Sequence, residues 1–235
     1  MKKIAVIPAR GGSKRIPRKN IKPFFGKPII SYSLESCSQA GIFDHIHVST
    51  EDSEIFEIVS QLGYPPLFYR SQENASDQAP VREVLKETLK VFEEKGMPFD
   101  IVCLLSAISP LIDGEDLKNA FDSFEKSDMS YPMLAVSKYP APIEWALKFQ
   151  ADKNIIEPLN NDLFFASSHG FQDTYYDIGS FAFFTKEQLE KNDQEIKFIP
   201  YVVPLHKSVD VDNMDDWAIL EKFYLMKNLP STSHL

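Results

Sequence analysis

Strand-like and helix-like patterns alternate along most of this chain, and that order restricts it to few folds. "KIAVIPA", from Lys3, is a short apolar run with β-branched residues, closed by Pro8 and the Gly11–Gly12 pair, as expected of a strand buried on both faces. "KPIISYSLESCSQAG" places Ile29, Ile30, Ser33, Leu34 and Cys37 on one helical face and stops at Gly41. "HIHVST" reads as a strand, "SEIFEIVSQLG" as a helix and "PPLFYR" as an extended piece. "APVREVLKETLKVFEEKG" carries the clearest apolar stripe: Val81, Val84, Leu85, Thr88, Leu89 and Phe92. "DIVCLLSA", "DGEDLKNAFDSFEKS" and "YPMLAVSKY" continue as strand, helix and strand. Such alternation predicts parallel β-α-β units with right-handed crossovers, in which ligands sit beyond the C-terminal strand ends.

The alternation fails over residues 140–176, where "YPAPIEWALKF" and the polar "EPLNNDLFFASSHGFQD" show no clean period. This segment reads as an insertion that covers the sheet edge or meets another subunit. The pattern resumes with "GSFAFFTKEQLEKN" and "IPYVVPL", then closes with an acidic loop and the helix "MDDWAILEKFYLMKN". The 235 residues suit one large domain carrying this appendage.

The net charge of −9, from 25 Lys+Arg against 34 Asp+Glu, argues against nucleic acid as a partner, because binding phosphates along a duplex needs many cations on one face. The two cysteines, Cys37 and Cys103, sit in apolar patterns and read as buried thiols. The opening apolar run is too short for a secretory signal, and nothing approaches the ~18 apolar residues of a membrane span. The chain therefore reads as cytoplasmic, without a membrane partner.

Against this acidic background, "IPARGGSKRIPRKNI" gathers five cations directly after the first predicted strand. It is either a solvated basic arm or a loop built to hold an anion, and its place on the ligand edge favours the second. Gly11 and Gly12 allow close backbone approach and positive φ. Arg10 is able to donate two hydrogen bonds to neighbouring phosphoryl oxygens, and Lys19 offers a compact charge. Pro17 stiffens the loop, Asn20 supplies an amide, and a helix N-terminus is expected nearby. Neither a Walker A loop nor G-x-G-x-x-G is present. Near the C-terminus, Asp210 and Asp212 stand at an i, i+2 spacing that puts two carboxylates on one side of an extended segment. They read as an ordinary acidic turn before the last helix or as ligands of a hard cation. Asp215 and Asp216 read as charges at a helix N-terminus.

"IPARGGSKRIPRKNIKPFFGKPII" resembles the N-terminal signature of the sialic-acid-type (acylneuraminate) cytidylyltransferases. The likeness continues through "VSTEDSEI", "FYRSQENASDQAP", "SPLI" and "SVDVDNMDDW", nearly the whole chain. "SKYPAPIEWALK" and "YYDIGSF" are most similar to the pseudaminic acid branch, although Ser180 stands where a Gln is expected. The resemblance implies a single Rossmann-like nucleotidyltransferase domain over residues 1–235, with a mainly parallel sheet flanked by helices. Residues 140–176 become its dimerisation and sugar-binding insertion. It implies that CTP and a nine-carbon α-keto sugar acid (a nonulosonic acid) give a CMP-sugar and pyrophosphate, with Mg²⁺, or Mn²⁺, as cofactor and a homodimer as the assembly.

Residue by residue, Arg10, Gly12, Ser13 and Lys19 match positions that hold the triphosphate, with Ala9 and Gly11 in the same run. Asn20 matches a nucleotide contact, and Arg70 with Ala79 matches the region that recognises cytosine. Asp210 and Asp212 match the metal aspartates; Arg10, Lys19 and Asp212 are the expected catalytic residues. Ser106, in the run "LLSAISPL", joins the nucleotide set. Ser106 and Ala107 replace a Gln usual in sialate enzymes, which favours a deoxy, diamino sugar over N-acetylneuraminate. Tyr139, Tyr176 and Asp177 are expected in the sugar pocket; His169 and His206 receive no role. The rival readings are an N-acetylneuraminate or legionaminate cytidylyltransferase, and a non-catalytic nucleotide-binding protein of the same fold.

Overall fold

In the computed structural model, residues 1–76, 78–191 and 196–229 are described. Their central sheet has six strands: β1 (Lys3–Pro8), β4 (His45–Ser49), β5 (Ile101–Leu105), β6 (Met133–Lys138), β9 (Tyr175–Thr185) and β10 (Ile199–Val202). The order across it is β10-β6-β9-β5-β1-β4. β1 pairs in parallel with both β4 and β5, and β10 pairs in parallel with β6. The sheet is thus mainly parallel, as predicted. β9 is the exception, running antiparallel to both β5 and β6. Its hydrophobic content marks it as a core strand, but direction depends on where the chain re-enters the sheet, which composition does not encode.

Helices flank the sheet because their apolar stripes match its two buried faces. On one side lie α1 (Ile30–Ala40) and α4 (Gly114–Lys126), on the other α3 (Val81–Glu94) and α6 (Lys186–Glu190). The predicted stripe of α3 is buried at Val84, Leu85, Thr88, Leu89 and Phe92. Val81 departs from it and stays 45% exposed at the helix start. "PPLFYR" forms no regular strand. α2 (Ser53–Gln61) follows β4 and is capped by Asp52, whose side chain accepts the Ile55 N–H at 3.0 Å.

A third core cluster bears directly on function. A two-stranded ribbon, β2 (Pro23–Phe24) with β3 (Lys27–Pro28), leads into α1, and the chain ends its described course in α7 (Met214–Lys227). Phe24 packs edge to face against both Tyr32 and Trp217, each with its centroid 5.5 Å away, and Ile16 and Val211 are buried in the same cluster. This cluster fastens the basic loop to the acidic segment before α7, two regions some 195 residues apart in sequence.

Residues 140–176 carry little of the central sheet. They contain the hairpin β7 (Leu147–Gln150) and β8 (Ile155–Pro158), paired only with each other, and the short helix α5 (Asn161–Phe164). Their last two residues, Tyr175 and Tyr176, already belong to β9.

Candidate active site

The basic loop leaves β1 and folds back on the N-terminus of α2. Ala9 donates its N–H to Ser49 O at 2.9 Å, holding the loop's first residue on β4. Gly11 donates its N–H to Glu51 Oε1 at 2.8 Å. A Cβ at Gly11 would come within 2.1 Å of Asp52 Oδ2, so only glycine fits here. Arg18 sits in the left-handed region (φ 55°) and clasps Asp52 with two hydrogen bonds of 2.7 and 2.8 Å. It also pairs with Glu54. That conformation starts a short 3₁₀ turn, Lys19–Ile21, which carries Lys19 and Asn20. The buried Asn20 amide donates to Arg10 O at 2.9 Å and so orients the backbone from which Arg10 projects.

Three expectations about this loop change. Gly11 and Gly12 do not have positive φ, and Gly11 serves close approach to Asp52 rather than presenting a free amide. The loop does not run straight into a helix: the ribbon β2–β3 intervenes before Ile30, and the helix terminus against the loop is that of α2. One of the five cations, Arg18, is committed to Asp52 and Glu54 and acts on the loop's shape.

The loop walls a cleft of about 250 Å³ lined by Arg10, Ser13, Lys14, Arg15, Lys19, Asn20, Arg70, Ser106 and Asp212, among others. Seven predicted site residues thus converge: Arg10, Ser13, Lys19, Asn20, Arg70, Ser106 and Asp212. Ala9, Gly11 and Gly12 lie behind or beside them in the loop. Ala79 is on the segment before α3, its N–H on Ser76 O at 3.2 Å, and does not line the cleft among the described residues.

Cations outnumber acids in the cleft wall, with Arg10, Lys14, Arg15, Lys19 and Arg70 against Asp212. Lys19 Nζ donates to Val211 O at 2.6 Å, between the two aspartates. Burial draws the Lys19 ammonium below its ordinary pKa, opposed by the charges of Asp212 and Asp210. Val211 points into the core, so Asp210 and Asp212 turn the other way, as their spacing predicts. Partial enclosure raises the Asp210 carboxyl above its ordinary value, and the Asp212 charge raises it further. Asp212 pairs with Arg15 at 2.9 Å. Its backbone N–H donates to Asp216 Oδ2 at 2.8 Å, within a capping box of Asn213 and Asp216 that starts α7. Asp216 is therefore a helix-terminus charge, as predicted, and a support for Asp212.

Arg70 is buried, with 6% exposure. Its Nε donates to Ser49 Oγ at 3.0 Å and its Nη2 to Ser49 O. Burial lowers its pKa, offset by Glu51 and Glu87.

Beside the cleft lies a second cavity of about 330 Å³, which shares Pro8 and Ser106 with it. Asp177 and Gly179 line it, and Val81, Leu104, Leu134, Phe181 and Ala182 make it largely apolar. Asp177 Oδ1 accepts the Gly179 N–H at 2.8 Å. Gly179 has φ 63°, and a Cβ there would stand 3.9 Å from the Asp210 carboxylate, so the turn needs glycine for its backbone angle rather than for space. Tyr176 hydrogen-bonds Ser208 Oγ at 2.8 Å, and its ring lies 5.0 Å from that of Tyr139. Tyr139 lines a separate hollow with Pro140 and Phe171. Of the three predicted sugar-pocket residues, Asp177 alone lines the cavity next to the cleft. Sequence reasoning missed Glu51, Asp52 and Arg15. The visible signal was the adjacent acid pair "ED" after a strand, an unremarkable feature without the fold.

A mainly parallel sheet with a cationic cleft at the end of its first strand, and Asp212 in the cleft wall, suits a nucleotidyltransferase. The chain belongs to the Cytidylyltransferase family, whose sequence model matches residues 4–212. It is 33% identical over 229 residues to the pseudaminic acid cytidylyltransferase of Campylobacter jejuni subsp. jejuni serotype O:2, covering 95% of this chain and 97% of that protein. It is 29% identical to the CMP-N,N'-diacetyllegionaminic acid synthase of Legionella pneumophila, covering 94% and 96%. Its fold matches a solved CMP:2-keto-3-deoxy-manno-octonic acid synthetase complexed with CTP, with a TM-score of 0.73, 16% identity, and coverage of 97% of this chain and 100% of that one.

Proposed function

We propose that this enzyme activates a nine-carbon α-keto sugar acid, pseudaminic acid in the first instance, by transferring CMP from CTP. The anomeric hydroxyl oxygen forms a new bond to the α-phosphorus and loses its proton to the surroundings. The bond from that phosphorus to the oxygen bridging to the β-phosphate breaks, and pyrophosphate leaves. The observation that carries the reading is the pair of adjoining cavities. One is cationic and contains Arg10, Lys19 and Arg70; the other is mostly apolar and suits a deoxy sugar; Pro8 and Ser106 stand where they meet. Similarity to pseudaminic acid cytidylyltransferases over nearly the full chain supports the choice of sugar.

In this reading Arg10 and Ser13 hold phosphoryl oxygens. Lys19, fixed on Val211 O, places a charge beside the reacting phosphate. Arg70 and the segment near Ala79 take the cytosine, and Asp177 faces the sugar. Tyr176 and Tyr139 support that turn from behind through the Ser208 hydrogen bond and their own ring contact.

Asp210 and Asp212 fit a divalent ion, Mg²⁺ or Mn²⁺. The structural reason is that buried Val211 between them turns both carboxylates to one side, with Asp212 in the cleft wall; burial, and after it the Asp212 charge, raises the Asp210 carboxyl, a cost that a cation relieves. Among the described residues no group of three or more His, Cys, Asp or Glu is arranged to hold a metal, and the proposed ion rests on these two carboxylates. This suits Mg²⁺, which retains waters and borrows phosphate oxygens. When bound, the ion would polarise the phosphate and stabilise departing pyrophosphate.

The working assembly in this proposal is a homodimer. An isolated two-stranded hairpin is marginal in water, yet β7–β8 and its neighbours expose Phe149, Ile156, Leu159 and Phe165, the last 91% exposed. No helix among the described residues is long and apolar enough to cross a membrane.

The test is pyrophosphate release from CTP with pseudaminic, legionaminic and N-acetylneuraminic acids in parallel. Pseudaminic acid should give the highest kcat/KM. Turnover only with another of these acids would replace the sugar assignment, and turnover with none would leave a nucleotide-binding protein.

A further inference from the structure

The end of β4 touches both ends of the proposed nucleotide site, and one side chain there has a half-completed set of partners. Ser49 O accepts the N–H of Ala9 and a hydrogen bond from Arg70 Nη2, and Thr50 O accepts the Arg70 backbone N–H at 2.8 Å. Glu51, next in sequence, turns one carboxylate oxygen to each side. Oε1 accepts the Gly11 N–H at 2.8 Å. Oε2 is buried, 4.0 Å from Arg70 Nη1, and lacks a hydrogen-bond partner among the described residues.

We propose that Glu51 is a positioning residue that ties the phosphate loop to Arg70, so that the triphosphate and base ends of CTP are held in register. The inference rests on the reading of the loop and Arg70 as nucleotide-binding. Holding Gly11 in place needs only a neutral acceptor, and a glutamine would provide one without burying a charge. A buried carboxylate oxygen without a partner is unfavourable, so the retained charge calls for a recipient. Arg70 is that recipient. It is 6% exposed, and of its three nitrogens Nε and Nη2 are fixed on Ser49, leaving Nη1 as the one facing Glu51. A shift of Glu51 therefore moves Gly11 and the field at Arg70 together. Asp52 reinforces the first half of this link, since it packs against Gly11 and clasps Arg18.

The experiment compares Glu51→Gln, Arg70→Ala and the double variant, measuring steady-state kinetics with CTP and UTP and the thermal midpoint. Glu51→Gln is nearly isosteric and keeps the Gly11 acceptor, so it should fold normally. It should raise the CTP KM roughly tenfold, the scale of one charged contact, and reduce the CTP:UTP preference by a similar factor, with kcat and the sugar KM within about twofold of wild type. In the Arg70→Ala background, Glu51→Gln should change the CTP:UTP preference no further. A purely structural glutamate would lower the thermal midpoint and leave that preference alone. The proposal is overturned if Glu51→Gln keeps wild-type CTP KM and preference, or if its effect adds in full to that of Arg70→Ala. If Arg70→Ala collapses the preference while Glu51→Gln does not, this inference alone fails. If Arg70→Ala leaves the preference intact, the assignment of Arg70 to the base falls and takes the inference with it.

Discussion

Replacing Arg18 separates two contributions to the shape of the loop. Arg18 has φ 55° and ψ 32°, a conformation that costs an L-residue with a side chain about 1–2 kcal/mol. Its bidentate pair with Asp52, at 2.7 and 2.8 Å, offsets that strain. The guanidinium is 35% and the Asp52 carboxylate 21% exposed, so solvent screening reduces the pair to about 2 kcal/mol, above a surface pair and below a buried one. Arg18→Ala loses the pair and keeps the strained angle, and should destabilise by about 2 kcal/mol. Arg18→Gly loses the same pair, recovers the strain, and gives back roughly 0.4–1 kcal/mol through a more flexible unfolded chain. Glycine should therefore be the milder change, by several tenths of a kcal/mol to about 1. For a chain of this size each kcal/mol shifts the melting midpoint by about 2–4 °C, which predicts a fall of about 4–8 °C for alanine and less for glycine. The Asp52 carboxyl is depressed from 3.8 to about 2, first by its hydrogen bonds from Arg18. A depressed acid stabilises above its unfolded pKa and loses that contribution as pH falls through the folded one. The gap between wild type and Arg18→Ala should hold at pH 7 and narrow between about pH 4 and 2. Melting curves across that range are the assay. Glycine proving no better than alanine would refute the backbone argument, and a pH-independent gap would refute the ion-pair argument.

Two further outcomes are expected. EDTA should abolish turnover and Mg²⁺ restore it, while Asp212→Asn loses most activity with little change in melting midpoint and Asp216→Asn, which keeps an acceptor for the Asp212 and Asn213 amides, stays active. Steady-state rates of the variants check this, and an essential Asp216 with dispensable Asp210 and Asp212 would mean the metal reading is on the wrong acids. Introducing charge on the exposed insertion, as Ile156→Glu with Phe165→Glu, should convert a dimer to a monomer in analytical ultracentrifugation; an unchanged sedimentation coefficient would place the subunit contact elsewhere.

What was legible beforehand followed from local rules. The strand at Lys3–Pro8 and the helices at Ile30–Ala40 and Val81–Glu94 declare themselves because their burial follows periods of two or 3.6, or an unbroken apolar run. The basic loop was found because charge density beside glycines at a strand end is a local signal. Long-range decisions were not local. The reversed direction of β9 depends on the path through residues 140–176, and the exposure of Val81 depends on a cavity shared with Leu104 and Phe181 from other strands. Arg10 and Arg18 belong to the same cationic run, and only the fold distinguishes them: Arg10 lines the cleft, while Arg18 turns to Asp52 behind it.

The same sorting bears on how an acidic protein accommodates a triphosphate. Lys19 is anchored on Val211 O and partly buried, so its charge stays in place whatever enters the cleft. Arg15 is held differently. Its partner is Asp212, at 2.9 Å, with the two side chains 68% and 47% exposed, and a pair so exposed is worth about 0–1 kcal/mol. Were Asp212 to hold a metal, as proposed, Arg15 would lose that partner and could turn to a ligand in a cleft whose other walls include Arg10, Lys14 and Lys19. Breaking the pair would therefore be nearly without cost, since each member would gain an opposite charge, one from the metal and one from the phosphates. Metal and nucleotide would then favour each other's binding through one weak contact, while Gly11, Asp52 and Lys19 keep hydrogen bonds that do not involve Arg15.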